Sequence, residues 1–387
     1  MAEKLMVQGF KQLGGKHCQT AALKNILEYY GLSLSEEMLL GLGGGIGFIY
    51  WYMKLMPAPF IGGKNGKVDE FILDICKRIG AEAEISQTTS TKKGHKELKK
   101  LLREGEPAYI FADMAYLPYM AIPEAAHFGG HTIVGFGLDE QEDKVYISDR
   151  GKNPVTVSIE DLKKARSSKH PPFSPKNKLL KIKKCPPRIG NLEKGIRESI
   201  KDCCRNMLKP PIKNIGLEGI KKWGDIVPKW PNQFKGLDLF GCLFNTFMYI
   251  EIGGTGGSAF RPMYGQFLKE ASSILNKPSL NEVAEMFKDS GKIWSEIATA
   301  ALPDSWPTLK RIRELLIEKE KIFEEQKPQA LEKMKKINIE FDDLIRKVEE
   351  DLQKKDLASL LDSLKRKILE CHEIEEKAFQ VLSNAIK

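Results

Sequence analysis

No stretch of this 387-residue chain is long and apolar enough to read as a membrane span. The most apolar run, 237–252, is interrupted by Asp238, Asn245 and Glu251. A span needs roughly 20 largely apolar residues, so this run reads as a buried helix. The first ten residues lack an apolar core long enough for a secretory signal. Cysteine is sparse: seven residues, at 18, 76, 185, 203, 204, 242 and 371, with no CxxC pair. That argues against a disulfide framework and predicts reduced thiols in a cytoplasmic protein. Charge of one sign is not in large excess either. The 61 basic and 52 acidic residues leave +9, spread along the chain. This balance gives no sign of nucleic acid but suits a phosphate-bearing or acidic partner. There is no internal repeat, and the length suffices for two domains with cores.

What is present begins with Gln12-Leu13-Gly14-Gly15-Lys16-His17-Cys18-Gln19-Thr20. A glycine turn delivers Cys18 to the head of an apolar-striped segment, Ala21, Ala22, Leu23, Ile26, Leu27 and Tyr30, closed by Gly31. The period is helical, so Cys18 is expected at a helix N-terminus. There the unpaired N–H groups and the helix dipole favour the reactive thiolate. Gln12, six residues upstream, is expected beside the sulfur, its amide and the Cys18 N–H forming an oxyanion hole. A cysteine alone is as readily a small buried hydrophobe, so the reading needs partners.

Further along, five glycines in seven positions (41–47) are expected to hold no regular element and to let backbone approach a ligand. Their spacing fits neither a Walker loop nor a dinucleotide fingerprint. Helices are expected at 67–79 and 96–104, with strands at 81–87 and 107–113. Then His127-Phe128-Gly129-Gly130-His131 runs into a β-rich stretch. The turn 139–143 separates it from Lys144-Val145-Tyr146-Ile147-Ser148-Asp149, a hairpin signature. His131 at one strand start and Asp149 at the paired strand's end would be neighbours.

A thiol needs an imidazole to take its proton, and the imidazole needs a carboxylate to fix its orientation. Gln12, Cys18, His131 and Asp149 in this order resemble the papain-like cysteine peptidases, particularly those that trim double-glycine leader peptides. A wider set of phrases comprises His17–Thr20, Gly41–Phe48, Asp113–Tyr119 and His127–His131, then Gly216–Gly219 and Gly253–Tyr264 in a helical domain. As a set they are similar to the butirosin biosynthesis protein H family. The resemblance spans about residues 8 to 300. It implies a cysteine acyltransferase that takes an acyl group from a carrier-protein or CoA thioester onto Cys18 and passes it to an amine. Phosphopantetheine thioester is then the donor substrate, with no tightly bound cofactor.

The fold expected is α+β, with a papain-like antiparallel-sheet domain at 1–172 and a basic Pro/Lys-rich linker at 173–190. A helical lid at 191–307 and long C-terminal helices at 308–387 follow, the latter broken near Pro328. Candidate substrate-binding residues are Gly44, Gly45, Asp113, Tyr116, Tyr119, His127, Gly254 and Arg261. The Gly253–Gly257 loop could cradle an anion and Arg261 a phosphate; an ordinary ion pair for Arg261 is equally open. Loop packing stands equally beside the substrate role for Asp113, Tyr116 and Tyr119. Two glycines between His127 and His131 defeat a helical zinc motif, and no metal is expected. Two other functional classes stay open: a hydrolase using the same residues, and a non-enzymatic scaffold binding through its C-terminal helices. Homo-oligomerisation is left open; neither nucleic acid nor membrane is expected as a partner.

Overall fold

The computed structural model describes residues 2–54, 56–64, 67–123 and 126–387. The chain divides into two compact units, one of residues 1–39, 68–191 and 319–338, the other of 40–67, 192–318 and 339–387. The described residues hold strands β1 Lys4–Met6, β2 Ile46–Trp51, β3 Phe60–Lys64, β4 Glu82–Ser86, β5 Ala108–Ala112, β6 His131–Asp139, β7 Lys144–Ser148, β8 Val155–Val157 and β9 Leu179–Lys184. The fold is α+β, with antiparallel sheet and a helical C-terminal region.

The first unit is built on a seven-stranded antiparallel sheet ordered β4-β9-β5-β6-β7-β8, with β1 also pairing β6. Its centre is β5, Ala-Tyr-Ile-Phe-Ala, where every residue is buried. A continuous apolar run of this length is what a strand covered on both faces requires. Ala112 of β5 faces His131 of β6, and Val134 of β6 faces Ser148 of β7. His131 and Asp149 therefore come to the same end of the sheet. The helix Cys18–Tyr29 buries Ala21, Ala22, Leu23, Ile26 and Leu27 and packs on β5 and β6.

Residues 173–190 differ from the expected linker. They carry β9, which pairs with β4 and β5, so the apolar pair Leu179-Leu180 is buried inside the sheet. The basic side chains obscure this in the sequence because several point outward, as Lys183 does to Glu84. The expected continuous domain 1–172 is also interrupted, since residues 40–67 belong to the other unit.

The second unit is helical around the β2–β3 hairpin. Trp223, Trp294 and Phe48 stack in its core. The glycine-rich stretch is more regular than expected: Gly41 lies in the helix Glu36–Leu42, and Gly47 in β2. Gly41 faces the Phe267 ring at a distance no side chain could share. Small size there serves packing rather than loop freedom. The C-terminal region forms helices Pro307–Glu325, Ala330–Lys354 and Leu357–Ala385. Its segment 319–338 belongs to the first unit. Among the described residues no helix is long and apolar enough to cross a membrane.

Candidate active site

Cys18 is the first residue of its helix, and His17 at the cap makes no side-chain cap bond. The first N–H groups of a helix have no intrahelical partner, so those of Cys18 and Gln19 are left to whatever occupies the site. The turn before it is held by Glu36. Its carboxylate accepts from the Lys16 and His17 N–H groups, each at 2.9 Å, and from the Thr20 hydroxyl at 2.8 Å. Gly15 is needed because a Cβ there would meet Ala21 and Glu36. From below, the buried Tyr109 hydroxyl donates to the Gln19 carbonyl at 3.3 Å. Neither Glu36 nor Tyr109 stands out in the sequence; both are remote residues whose roles depend on the fold.

Cys18 is half-buried. Its thiol lies near enough to the His131 imidazole and the Thr132 backbone N–H for both to act on its ionisation. His131 Nε2 lies 2.8 Å from Asp149 Oδ2, leaving Nδ1 as the nitrogen for the sulfur. His131 and Asp149 are 2% and 5% exposed, so their mutual charges act with little screening. Burial opposes ionisation of Cys18. The hydrogen bond and charge of His131, the Thr132 N–H and the Arg150 charge outweigh it and lower the thiol's pKa. Burial likewise opposes the imidazolium, but the charge and hydrogen bond of Asp149 and the bond to Cys18 push His131 up to about 10. Asp149 resists its own burial through His131 and Arg150 and is held below the usual carboxylate range. The three groups together favour a thiolate–imidazolium pair backed by a carboxylate.

Asp149 accepts two further hydrogen bonds: the Tyr119 hydroxyl at 2.8 Å on Oδ2 and the Arg150 N–H at 2.7 Å on Oδ1. Tyr119, expected as either a substrate contact or loop packing, thus supports the site's carboxylate. Arg150, next to Asp149 in the sequence, carries no pattern there that marks it as part of the site. Its guanidinium pairs with Glu320 at 2.6 Å and donates to the Lys16 carbonyl at 3.2 Å.

Gln12 reaches this loop from the other side. Its Nε2 donates to the carbonyls of Asp149 at 3.0 Å, Gly151 at 2.5 Å and Asn153 at 3.3 Å. The expected oxyanion role is corrected, because an amide has two N–H donors and these carbonyls take them. Gln12 instead anchors the backbone that follows Asp149.

The remaining candidates fall elsewhere. Asp113 is fully buried and accepts from Ala115 N, Phe128 N, His127 Nδ1 and the Ser168 hydroxyl. With every lone pair in use, it is a loop anchor rather than a substrate contact. His127 bonds Asp113 and stacks on His170 with centroids 3.3 Å apart. The Tyr116 ring packs beside both imidazoles. Gly44, Gly45, Gly254 and Arg261 lie in the other unit. Gly45, in the left-handed region, sits against the Tyr264 ring and Cys203, so the tight turn serves packing. The Gly253–Gly257 loop is not an anion cradle. The Gly253 and Gly254 N–H groups donate to the Met248 and Ile252 carbonyls of the preceding turn, the Gly257 N–H to the Thr255 hydroxyl, and the Ser258 N–H faces the Glu251 carboxylate. Arg261 is fully buried in an ion pair with Glu375, with Nε–Oε1 at 2.7 Å and Nη2–Oε2 at 2.9 Å. A phosphate has no route to it, and the substrate role is withdrawn. Among the described residues no group of three His, Cys, Asp or Glu could hold a metal ion.

Sheet, helix and site together define an α+β protein carrying a Cys–His–Asp constellation, its His and Asp buried and its Cys half-buried, at one sheet end. Residues 17–150 match the family described as butirosin biosynthesis protein H, N-terminal. Residues 160–318 match a second family, described as a domain of unknown function (DUF4872). Over residues 17–150 the chain is thus similar to the butirosin biosynthesis protein H family, and this match suggests a biosynthetic enzyme. No curated protein matches the chain.

Proposed function

We propose that the protein is a cysteine acyltransferase with a papain-like first unit, moving an acyl group from a phosphopantetheine thioester to an amine. The observation that carries this reading is the Cys18–His131–Asp149 chain, in which a lowered thiol meets an imidazole raised to about 10. The ion pair supplies a thiolate without a separate base step. The Cys18 sulfur attacks the donor's carbonyl carbon, and the N–H groups of Cys18 and Gln19 stabilise the oxyanion. The carrier thiolate departs and takes the proton held by His131. The acyl group is then a thioester on Cys18. An amine attacks it, its proton passes to His131, and the Cys18 thiolate leaves as the amide forms. Asp149 holds the imidazole in the required orientation through both steps.

Support for transfer to an amine comes from the family match, whereas the constellation itself serves acylation by any acceptor. The test is partition. The protein is acylated with an acyl-CoA or acyl-carrier-protein donor, and release is followed with and without added amines. Faster discharge with an amine, and recovery of the amide, supports transfer. Discharge at one rate regardless of amine moves the assignment to a hydrolase.

A further inference from the structure

The segment 319–338 lies beyond both family matches, yet it is part of the unit that holds Cys18. Its contacts converge on two loops. The first is the turn 118–121, where Lys319 Nζ and Asn338 Nδ2 both donate to the Ala121 carbonyl, at 2.7 and 2.8 Å. Ala121 has φ +47°, a left-handed conformation that costs an alanine energy and needs outside support. The second is the loop after β7, where Glu320 pairs with Arg150, and the Glu324 carbonyl accepts from the Lys152 N–H at 2.8 Å. Between the two loops sits Phe323, 4% exposed. The Tyr119 ring stacks on it at 6.5 Å between centroids, and the Arg150 guanidinium lies 4.9 Å from its centroid. Those two residues are the ones that donate to Asp149 beside His131.

We infer that one turn of the helix Pro307–Glu325 is a clamp on the site's carboxylate, with Phe323 and Glu320 as positioning residues. Phe323 fixes both Tyr119 and Arg150, and Glu320 keeps the Arg150 charge beside Asp149 rather than in solvent. Without them the Tyr119 and Arg150 side chains gain rotamer freedom. Asp149 then keeps the Arg150 backbone N–H but loses a fixed Tyr119 hydroxyl and the nearby Arg150 charge, which help to hold it ionised and aligned on His131. Segment 319–338 thereby contributes to the chemistry of the unit it belongs to. This inference rests on the Cys18–His131–Asp149 reading.

The test uses the full-length protein and measures carbamidomethylation of Cys18 by iodoacetamide from pH 5 to 10, read on the Cys18 peptide by mass spectrometry. The variants are Phe323→Ala, Phe323→Leu and Glu320→Gln, each with a thermal melt. The unaltered protein is expected to react well below the ordinary thiol range. Phe323→Ala is expected to move the acid limb upward by roughly one pH unit, which is about a tenfold loss of rate at pH 6. Phe323→Leu should recover part of that shift, since it keeps an apolar support for Tyr119. Glu320→Gln should also alter the profile while the fold persists. A lowered melting point with an unmoved profile in all three would make the segment merely structural and overturn the clamp. An ordinary thiol profile in the unaltered protein would instead overturn the site reading, and the clamp with it.

Discussion

Arg261 and Glu375 meet in a bidentate pair from which water is fully excluded, and each is further satisfied by the surrounding backbone and side chains. Arg261 Nη1 donates to the Gly63 and Ala259 carbonyls, while the Trp294 indole and Ser290 hydroxyl donate to Glu375. Removing one partner strands a buried charge. Arg261→Met should therefore cost about 3–5 kcal/mol of stability, and the double variant Arg261→Met/Glu375→Leu should regain part of it. Urea unfolding measures both. Unchanged stability in Arg261→Met, with weakened use of a phosphopantetheine donor, would restore the ligand role withdrawn above.

Glu36 is the support of the turn that delivers Cys18. Glu36→Ala removes the carboxylate that accepts from the Lys16 and His17 N–H groups and one of the two acceptors of the Thr20 hydroxyl, and each buried donor left unpaired costs about 1–3 kcal/mol. The variant should melt lower and alkylate Cys18 more slowly at neutral pH. Glu36→Gln retains one acceptor oxygen and should fall between. A wild-type alkylation profile in Glu36→Ala would show that the turn holds its shape without the carboxylate.

Asp149→Asn removes the charge that raises His131 while leaving the side chain's shape. Acylation of Cys18 should slow by on the order of a thousandfold or more, as expected when the imidazole loses its orienting carboxylate. Tyr119→Phe removes one of the hydrogen bonds to the same oxygen, and its effect should be milder, about tenfold. Both are measured as single-turnover acylation rates. Equal effects from the two would place Tyr119 in a role other than supporting Asp149.

The pH dependence follows from the directions of the shifts. His131 is raised to about 10, so the stability it contributes is fully present below about 6.5 and is lost as pH rises through about 10. Asp149 is lowered, and its contribution is present above about 3.9 and lost as pH falls through its folded value. Alkylation of Cys18 should rise as pH passes the lowered thiol value. Acylation, which needs the imidazolium to protonate the leaving thiol, should fall again near pH 10. A single rising limb centred on the ordinary thiol value would contradict the ion pair.

Much of this was legible in the sequence wherever local patterning decides the outcome. The apolar stripe from Ala21 to Tyr30 marks the Cys18 helix, and two β-rich runs about a polar turn mark the β6–β7 hairpin. Those two elements bring Cys18, His131 and Asp149 together. What was not legible depends on distant partners. Gln12 sits at the right interval from Cys18, but which acceptors capture its amide depends on the path of the chain after Asp149. Arg261 follows a glycine loop, as a phosphate ligand would, yet Glu375 lies 114 residues away in sequence. The Lys-rich run around β9 reads as solvated because its charges outnumber the buried Leu179-Leu180 pair. The Lys/Glu pattern of residues 319–338 likewise gives no hint that Phe323 supports Tyr119 and Arg150.

The account stands or falls on a covalent adduct at Cys18. Intact-mass measurement after incubation with acyl-CoA and acyl-carrier-protein thioesters is the most direct test. The expected result is a gain of one acyl mass, mapped to Cys18, absent in Cys18→Ala and removed by an amine acceptor with release of the amide. A protein that gains no mass from any thioester, under conditions where Cys18 still reacts with iodoacetamide, would contradict it.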